Sequence, residues 1–247
     1  MKLNLLKSLT YLCASFLFSI TIYGQNNKDL KIEKVSDDLF VYTTYGVFEG
    51  VKYAANALYT VTEKGIIVFD CPWDPTVNEQ FEKELYKRHQ LPIIANIATH
   101  SHADRAGGLA FFKEIGAKTY TSKATDSILA ETSQPRAEYT FENDTIFHMG
   151  GKTFEVSFPG KGHTADNLVV WFPEEQILLG GCIIKDGEAK DLGNIEEAYP
   201  DEWAQSLQWV LEKYPHPKLV ISGHDDWHPQ NGIQHTLNLL KAYYQKH

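Results

Sequence analysis

Cysteine is scarce in this sequence, and basic residues are outnumbered. Cys13, Cys71 and Cys182 are the only three cysteines in 247 residues, so at most one disulfide can form. Acidic residues exceed basic ones by 32 to 23, for a formal net charge of −9. No stripe of lysine and arginine offsets this excess, and nucleic acid is therefore excluded as a partner.

Beyond its N-terminus the sequence lacks a long apolar run, a linker, a low-complexity stretch and a block of like charges. No later segment is apolar enough to span a bilayer. At the N-terminus, Lys2 and Lys7 precede an apolar stretch that ends at the small residue Gly24. This order is typical of a cleaved secretory signal peptide. We predict a signal over residues 1–24, a single domain over 25–247 and a periplasmic location; an uncleaved membrane anchor is the alternative.

The remaining sequence alternates short strands with helices from residue 30 onward. Glu63–Lys64–Gly65 and the glycine pair of FHMGGKTFEVSF predict hairpin turns between apolar segments. PIIANIAT is a continuous apolar run, typical of a strand buried on both faces. We expect one helix to begin at Asp74–Pro75 and another to follow ATHSHADRAGG and end at Gly116. Two strand-rich halves of this kind predict a sandwich of two sheets with helices outside.

Potential metal ligands follow several of these strands at the point where each strand ends. They are His100, His102, Asp104, His163, Cys182 and His224. A single histidine is more often a core residue than a ligand, but loops held by rigid strands are preferred places for functional side chains. Zinc binds imidazole, thiolate and carboxylate, and catalytic zinc keeps one position for water. The six residues therefore predict two metal sites, one of three histidines and one of aspartate, cysteine and histidine.

The segments THSHAD, GKGHTADN, GGCIIK, LGN and SGHDDW resemble those of the metallo-β-lactamases, the zinc-dependent class B enzymes. The similarity covers about residues 30–245 and is greatest to the first subclass. The second subclass has asparagine in place of His100. The third subclass, like the related thioesterases, has histidine in place of Arg105, and it lacks the metal-binding Cys182. The resemblance implies an α+β fold: a four-layer αββα sandwich of two mixed sheets with helices outside and the metal cleft at one edge.

The resemblance also implies two Zn²⁺ ions per chain. By that similarity the first is held by His100, His102 and His163, and the second by Asp104, Cys182 and His224. Two further positions match residues that contact substrate. Lys185 matches a lysine that binds the substrate carboxylate, with a solvated surface lysine as the alternative. Asn194 matches an asparagine near the lactam carbonyl, with a turn residue after Gly193 as the alternative.

Residues 45–56, YGVFEGVKYAAN, resemble a flap over the cleft, in which Val47 and Phe48 make the apolar contacts with substrate. An ordinary hairpin tip is the alternative. Asp70 either orients a ligand histidine or serves the turn that leads into the next helix. Cys71 is expected to be buried and unpaired, because Cys182 is needed as a zinc thiolate. The other histidines are interpreted as surface or core residues.

The implied function is zinc-dependent hydrolysis of the amide bond of β-lactams (penicillins, cephalosporins and carbapenems) by a metal-bound hydroxide. Asn194 would help with the developing oxyanion, and Asp104 is either a ligand or the general base, with ligation favoured by its place in the motif. We expect a monomer with a small-molecule substrate and no membrane contact after signal cleavage. Two alternatives are a zinc hydrolase of a thioester or lactone on the same fold, and a non-catalytic periplasmic zinc-binding protein.

Overall fold

The structure is a computed structural model, and it describes residues 29–246. The predicted signal peptide, residues 1–24, lies outside the described residues. Within residues 29–246, no helix is both long enough and apolar enough to cross a membrane.

The N-terminal half of the described chain forms a seven-stranded sheet whose spatial order follows the sequence. Its strands are β1 (Leu30–Lys34), β2 (Leu39–Phe48), β3 (Val51–Thr62), β4 (Gly65–Phe69), β5 (Ile93–Ile97), β6 (Lys118–Ser122) and β7 (Tyr139–Phe141). β1 to β4 pair antiparallel, and β4 to β7 pair parallel. The predicted turn at Glu63–Gly65 joins β3 to β4, and PIIANIAT contains the buried parallel strand β5, as predicted.

The C-terminal half forms a five-stranded sheet in the order β12, β11, β10, β9, β8. These strands are β8 (Thr145–Met149), β9 (Lys152–Ser157), β10 (Val169–Phe172), β11 (Ile177–Gly181) and β12 (Leu219–Ser222). All neighbours pair antiparallel except β11 and β12, which are parallel. Gly150 and Gly151 have φ values of 63° and 92°, so the glycine pair makes the predicted hairpin turn between β8 and β9.

Six α-helices lie between and after the strands of the described chain. They are α1 (Asn78–His89), α2 (Ala103–Ala106), α3 (Leu109–Glu114), α4 (Lys123–Glu131), α5 (Pro200–Lys213) and α6 (Gly232–Tyr244). Asp74 caps a short 3₁₀ turn over Pro75–Val77, accepting the Thr76 amide N–H, and α1 follows this turn directly. The predicted start at Asp74–Pro75 is therefore confirmed, with a 3₁₀ first turn.

Three of the four apolar clusters in the described chain define the layers of the fold. Between the sheets, Phe69 packs edge-on against Phe154 and Phe172 of the other sheet. On the outer face of the seven-stranded sheet, α1 and α3 cover a second cluster that includes Phe81. On the outer face of the five-stranded sheet, α5 and α6 cover a third cluster that includes Trp203. The layers are thus helix, sheet, sheet and helix, which confirms the predicted αββα sandwich.

The helix predicted between ATHSHADRAGG and Gly116 is confirmed as α3, and a short helix inside that motif, α2, precedes it with a break at Gly107–Gly108. The Gly108 amide donates a hydrogen bond to Cys71 Sγ at 3.2 Å. A β-carbon on Gly108 would lie 2.5 Å from the Cys71 β-carbon. The chain approaches Cys71 so closely that a continuous helix with larger side chains does not fit. Gly116, with φ of 84°, still follows the last helical turn, as expected.

Candidate metal centre

His100, His102 and His163, which we call the three-histidine set, come from both sheets. His100 and His102 follow β5, and His163 lies in the loop after β9. Their ring centroids lie 4.8, 5.0 and 5.4 Å apart, and His163 Nε2 is 3.2 Å from His102 Nδ1. Two nitrogens bound to one tetrahedral zinc ion lie about 3.3 Å apart, given Zn–N bonds of about 2.0–2.1 Å. The spacing therefore fits one ion held by three imidazoles.

The protonation of this set also suits a metal. Burial lowers the pKa of His100 and of His163 well below the ordinary value for histidine. Both rings are therefore neutral at physiological pH and keep a lone pair, which coordination requires. His100 Nε2 is buried and has no hydrogen-bond partner in the described chain. A buried polar atom without a partner is costly, and a metal ligand role would satisfy it.

Asp104, Cys182 and His224, which we call the mixed set, also come from both sheets. Asp104 lies in α2 after β5, Cys182 directly follows β11, and His224 follows β12. Cys182 Sγ is 3.2 Å from His224 Nε2 and 3.8 Å from Asp104 Oδ2. His224 Nε2 is 3.3 Å from Asp104 Oδ2. These separations suit thiolate, imidazole and carboxylate on one tetrahedral ion.

The mixed set attracts positive charge. Burial opposes charge on His224, but the Cys182 thiolate and the Asp104 carboxylate outweigh it and raise the pKa of His224 to about 10. Burial would likewise raise the pKa of Asp104, but the Arg105 guanidinium and His224 hold it well below its usual range. A proton is held where a cation would bind, which is the behaviour expected of an anionic metal site.

Arg105 lies directly behind the mixed set and is fully buried. Its Nη2 donates to Cys182 Sγ at 3.1 Å, and its Nε is 3.0 Å from Asp104 Oδ2 in an ion-pair contact. Its Nη1 donates to Asp70 Oδ2 at 3.2 Å. One guanidinium thus contacts two of the three ligands in this set. Sequence reasoning used Arg105 only to separate subclasses and missed this role.

Two backbone carbonyls complete the surroundings of the guanidinium. Nη1 also donates to the Asn56 carbonyl at 2.7 Å, and Nη2 to the Gly223 carbonyl at 2.8 Å. Asn56 lies in β3 of one sheet, and Gly223 follows β12 of the other. Arg105 therefore joins the two sheets beneath the site.

Asp70 has different neighbours from those expected from the sequence, whereas Cys71 matches the expectation. Asp70 accepts the Thr99 amide N–H at 2.8 Å and the Arg105 bond already described. It orients the backbone before His100 and the guanidinium, and does not hydrogen-bond a ligand imidazole within the described chain. Cys71 is buried and free, as predicted.

His224 and His102 contact different kinds of group through the ring nitrogen that does not face the other residues of their set. His224 Nδ1 lies 2.9 Å from the Ala54 carbonyl of β3, a strand of the sheet. His102 Nε2 lies 2.9 Å from Glu197 Oε2, and the Glu197 side chain is 68% exposed. A ligand histidine generally donates its other N–H to such a group, which fixes its tautomer. Sequence reasoning missed Glu197, because nothing distinguishes it from other acidic residues of exposed loops.

Lys185 and Asn194 lie on the same loop, which joins β11 to α5. Lys185 is half-buried, and a β-carbon placed on Gly193, the residue before Asn194, would lie 3.5 Å from its Nζ. Burial lowers the pKa of Lys185, and the nearby Cys182 thiolate opposes that shift. Asn194 is exposed, and its Oδ1 accepts the Glu196 amide N–H at 3.1 Å. Its carbonyl oxygen therefore serves a turn, while its amide nitrogen remains available to a ligand.

Val47 and Phe48 end the long β2–β3 hairpin, which turns at Glu49–Gly50 with φ values of 49° and 79°. Their exposed fractions are 69% and 40%. The hairpin rests on Trp73, because Gly46 lies so close that a β-carbon there would be 2.1 Å from the indole. The Trp73 ring centroid is 5.4 Å from that of His224. Trp73 therefore lies between the outer part of the hairpin and the mixed set.

The three-histidine set and the mixed set are the only groups of three or more such side chains in residues 29–246 that could hold a metal. Within each set, the potential ligand atoms lie within 4.8 Å of one another. Residues 51–224, which contain both sets, match the family model described as the metallo-beta-lactamase superfamily. The chain therefore belongs to the metallo-beta-lactamase superfamily.

The relatives agree with this assignment. The chain is 54% identical over 230 residues to "Metallo-beta-lactamase type 2" of Elizabethkingia meningoseptica, covering 93% of this chain and 92% of the relative. It is 41% identical to "Metallo-beta-lactamase IND-1" of Chryseobacterium indologenes, covering 95% and 98%. The crystal structure of metallo-beta-lactamase IND-7 matches with a TM-score of 0.84 and 42% identity over 87% of this chain and 99% of that one. The predicted family and fold are both confirmed.

Proposed function

We propose that this protein is a β-lactamase that hydrolyses the amide bond of β-lactam antibiotics with two zinc ions. The observation that carries the proposal is the pairing of two complete ligand sets through the short segment His100–Asp104. That segment gives two ligands to the three-histidine set and one to the mixed set. Relatives named metallo-beta-lactamases, at 54% and 41% identity over nearly the whole chain, support the same activity.

The donor atoms support zinc as the metal in both sets. His100, His102 and His163 would hold one ion, and Asp104, Cys182 and His224 the other, because imidazole, thiolate and carboxylate are the ligands zinc prefers. When bound, zinc supplies Lewis acidity that polarises a carbonyl and lowers the pKa of water to roughly 7.

Two side chains at the rim would bind the substrate. The Lys185 ammonium would pair with the carboxylate that common β-lactams carry on the ring fused to the lactam. The free Asn194 amide nitrogen would donate to the lactam oxygen as negative charge develops there. Lys185 Nζ lies beside Gly193, the residue before Asn194, so one substrate can contact both.

Asp104 serves better as a ligand than as a general base. The Arg105 guanidinium and His224 hold the pKa of Asp104 well below its usual range. An efficient general base has a pKa near the working pH, and a carboxylate with so low a pKa accepts protons poorly. Its catalytic role is therefore to hold the metal of the mixed set.

Val47 and Phe48 would cover the bound substrate from the hairpin tip. Their exposed apolar surface in the free protein supports this, because an ordinary hairpin tip is polar. We also propose that residues 25–247 act as a single monomeric domain in the periplasm. The signal-like pattern of residues 1–24 supports that location.

The test is hydrolysis of a chromogenic cephalosporin by the purified protein, with and without a chelator. We expect turnover that is lost on metal removal, restored by zinc and unaffected by serine-directed acylating inhibitors. A parallel assay with a thioester and a lactone separates the alternative hydrolases. Turnover that survives complete metal removal, or turnover of the thioester alone, would contradict the proposal.

A further inference from the structure

Trp203 lies in the first turn of α5, with its side chain fully buried beneath the rim of the site. Its indole N–H donates to the Ile183 carbonyl at 2.8 Å. Ile183 lies between Cys182 and Lys185, so this bond fixes the segment that carries both a metal ligand and the substrate-binding lysine. The Trp203 ring centroid is also 6.1 Å from that of His163.

The same indole presents a ring to Lys185. Lys185 Nζ lies 5.5 Å from the Trp203 centroid, within the range of a cation–π contact, for which tryptophan is the strongest aromatic partner. Lys185 takes part in none of the ion pairs formed within residues 29–246. Within the described chain, the Trp203 ring is therefore the main contact of the Lys185 ammonium.

The charges around Lys185 explain why support is needed. Among the charged groups, Cys182 acts most strongly on the ammonium, followed by Asp191, Asp104 and Asp186; Cys182 and Asp104 belong to the mixed set, whereas Asp191 and Asp186 lie on the loop that carries Lys185. A long lysine side chain has many rotamers, and different rotamers would turn the ammonium toward one or another of these anions. A ring face that holds the ammonium at the rim keeps it available for a carboxylate outside.

We propose that Trp203 is a positioning residue for the substrate carboxylate, holding Lys185 through the Ile183 carbonyl and through its ring face. This inference rests on the proposed role of Lys185. Trp203 also packs in the core with Leu207. A purely structural role would change stability and lower activity equally for every substrate, whereas the positioning role acts only on substrates that carry the carboxylate.

The experiment uses Trp203→Phe, which keeps an aromatic ring but removes the N–H and weakens the cation–π contact. For a substrate with a free carboxylate we expect KM to rise about three- to ten-fold with kcat nearly constant, because the contact acts equally in the ground and transition states. For the matched ester, KM should stay constant. In a Lys185→Ala background, Trp203→Phe should add little, since the ammonium it positions is gone.

Two controls come from the same helix. Trp209 holds Lys213 Nζ 4.8 Å from its ring centroid, so Trp209→Phe alters a similar pair outside the site and should leave both KM values unchanged. Leu207→Ala removes buried volume from the same core cluster. It should lower the unfolding temperature without separating the acid from the ester.

The outcomes separate the two proposals. If wild-type protein turns over neither substrate, or if Lys185→Ala leaves the KM of the acid unchanged, the proposed function or the role of Lys185 fails, and this inference fails with it. If Lys185→Ala raises that KM but Trp203→Phe affects acid and ester equally, or adds its full effect to Lys185→Ala, only the role of Trp203 is overturned.

A measurement on the unaltered protein remains decisive if Trp203→Phe does not fold. The Lys185 side-chain protons should show an upfield ring-current shift in NMR spectra of the wild-type protein. Ordinary random-coil shifts for these protons would overturn the inference.

Discussion

The three-histidine set and the mixed set draw on the same two sheets, but they handle charge in opposite ways. Burial keeps His100 and His163 neutral. The mixed set contains a carboxylate and a thiolate, and the fully buried Arg105 contacts both. Anionic ligands can be buried only with a compensating charge. The comparison shows that one site depends on burial and the other on an internal cation.

The two sets also differ in their connection to the surface. His224 is supported by a backbone carbonyl within the sheet, whereas His102 is supported by Glu197, whose side chain is 68% exposed. The mixed set is thus fixed by the interior, and the three-histidine set is held partly by a surface loop. Substitutions at Arg105, Cys182 and Glu197 should therefore affect the two sets unequally.

The largest effect is expected for Arg105→Met, which removes the cation and leaves Asp104, Cys182 and Asp70 without it. Losing one partner of a buried pair costs about 3–5 kcal/mol. We expect a loss of this size in the free energy of unfolding of the metal-free protein, measured by urea denaturation.

The matched control is Arg88→Met, because Arg88 pairs with Glu84 on α1 with 42% of its side chain exposed. An exposed pair contributes about 0–1 kcal/mol. Similar small losses for both variants would mean that Arg105 does not compensate the mixed set.

An intermediate effect is expected for Cys182→Ser. A neutral hydroxyl is a much poorer zinc ligand than a thiolate. The zinc held by the mixed set should bind at least about 100-fold more weakly. Removal of a residue that only hydrogen-bonds a ligand costs roughly 10- to 100-fold in affinity, and loss of the ligand itself should cost more. The first zinc should be little affected. Zinc titration followed by native mass spectrometry would measure both.

Cys71→Ser is the matched control, because Cys71 is the other free buried cysteine of the described chain and belongs to neither set. It should still bind two ions. Equal weakening of both ions in Cys182→Ser would contradict the division into two sets.

The smallest effect is expected for Glu197→Ala, which removes the support of His102. Because Glu197 is largely exposed, the loss should stay at or below about ten-fold in affinity for the first zinc, the low end for such supports. Competition with a chelating dye measures it. Glu196→Ala, which alters the adjacent exposed residue, should leave the affinity unchanged; a larger effect there than at Glu197 would argue against the His102 contact.

Much of the fold and the ligand sets could be predicted from sequence because their signals are local. His100, His102 and Asp104 lie within the seven residues that follow a recognisable strand, and Cys182 directly follows another. The glycine pair between β8 and β9 likewise indicates the hairpin turn directly. Each of these features depends on neighbours in the chain, which the sequence displays.

The remaining features depend on contacts between distant segments. Arg105 donates hydrogen bonds to groups at positions 56, 70, 182 and 223. Its neighbours in the sequence give no sign of these contacts. The break between α2 and α3 arises from the approach of Gly108 to Cys71, which comes from another loop. The turn made by Asn194 is local, but its proposed contact with substrate depends on how the fold places the loop that carries it. Such features require the fold itself.

The origin of the ligands in both sheets has a consequence for folding. An unfolded chain offers His100 and His102 close together but holds His163 and His224 far away, so neither set exists before the sheets pack. Zinc would bind the folded state alone, and mass action then adds about 2.7 kcal/mol to its stability when free zinc is 100 times the dissociation constant. The supply of zinc would thus set the fraction of chains that is folded as well as the proposed catalytic rate.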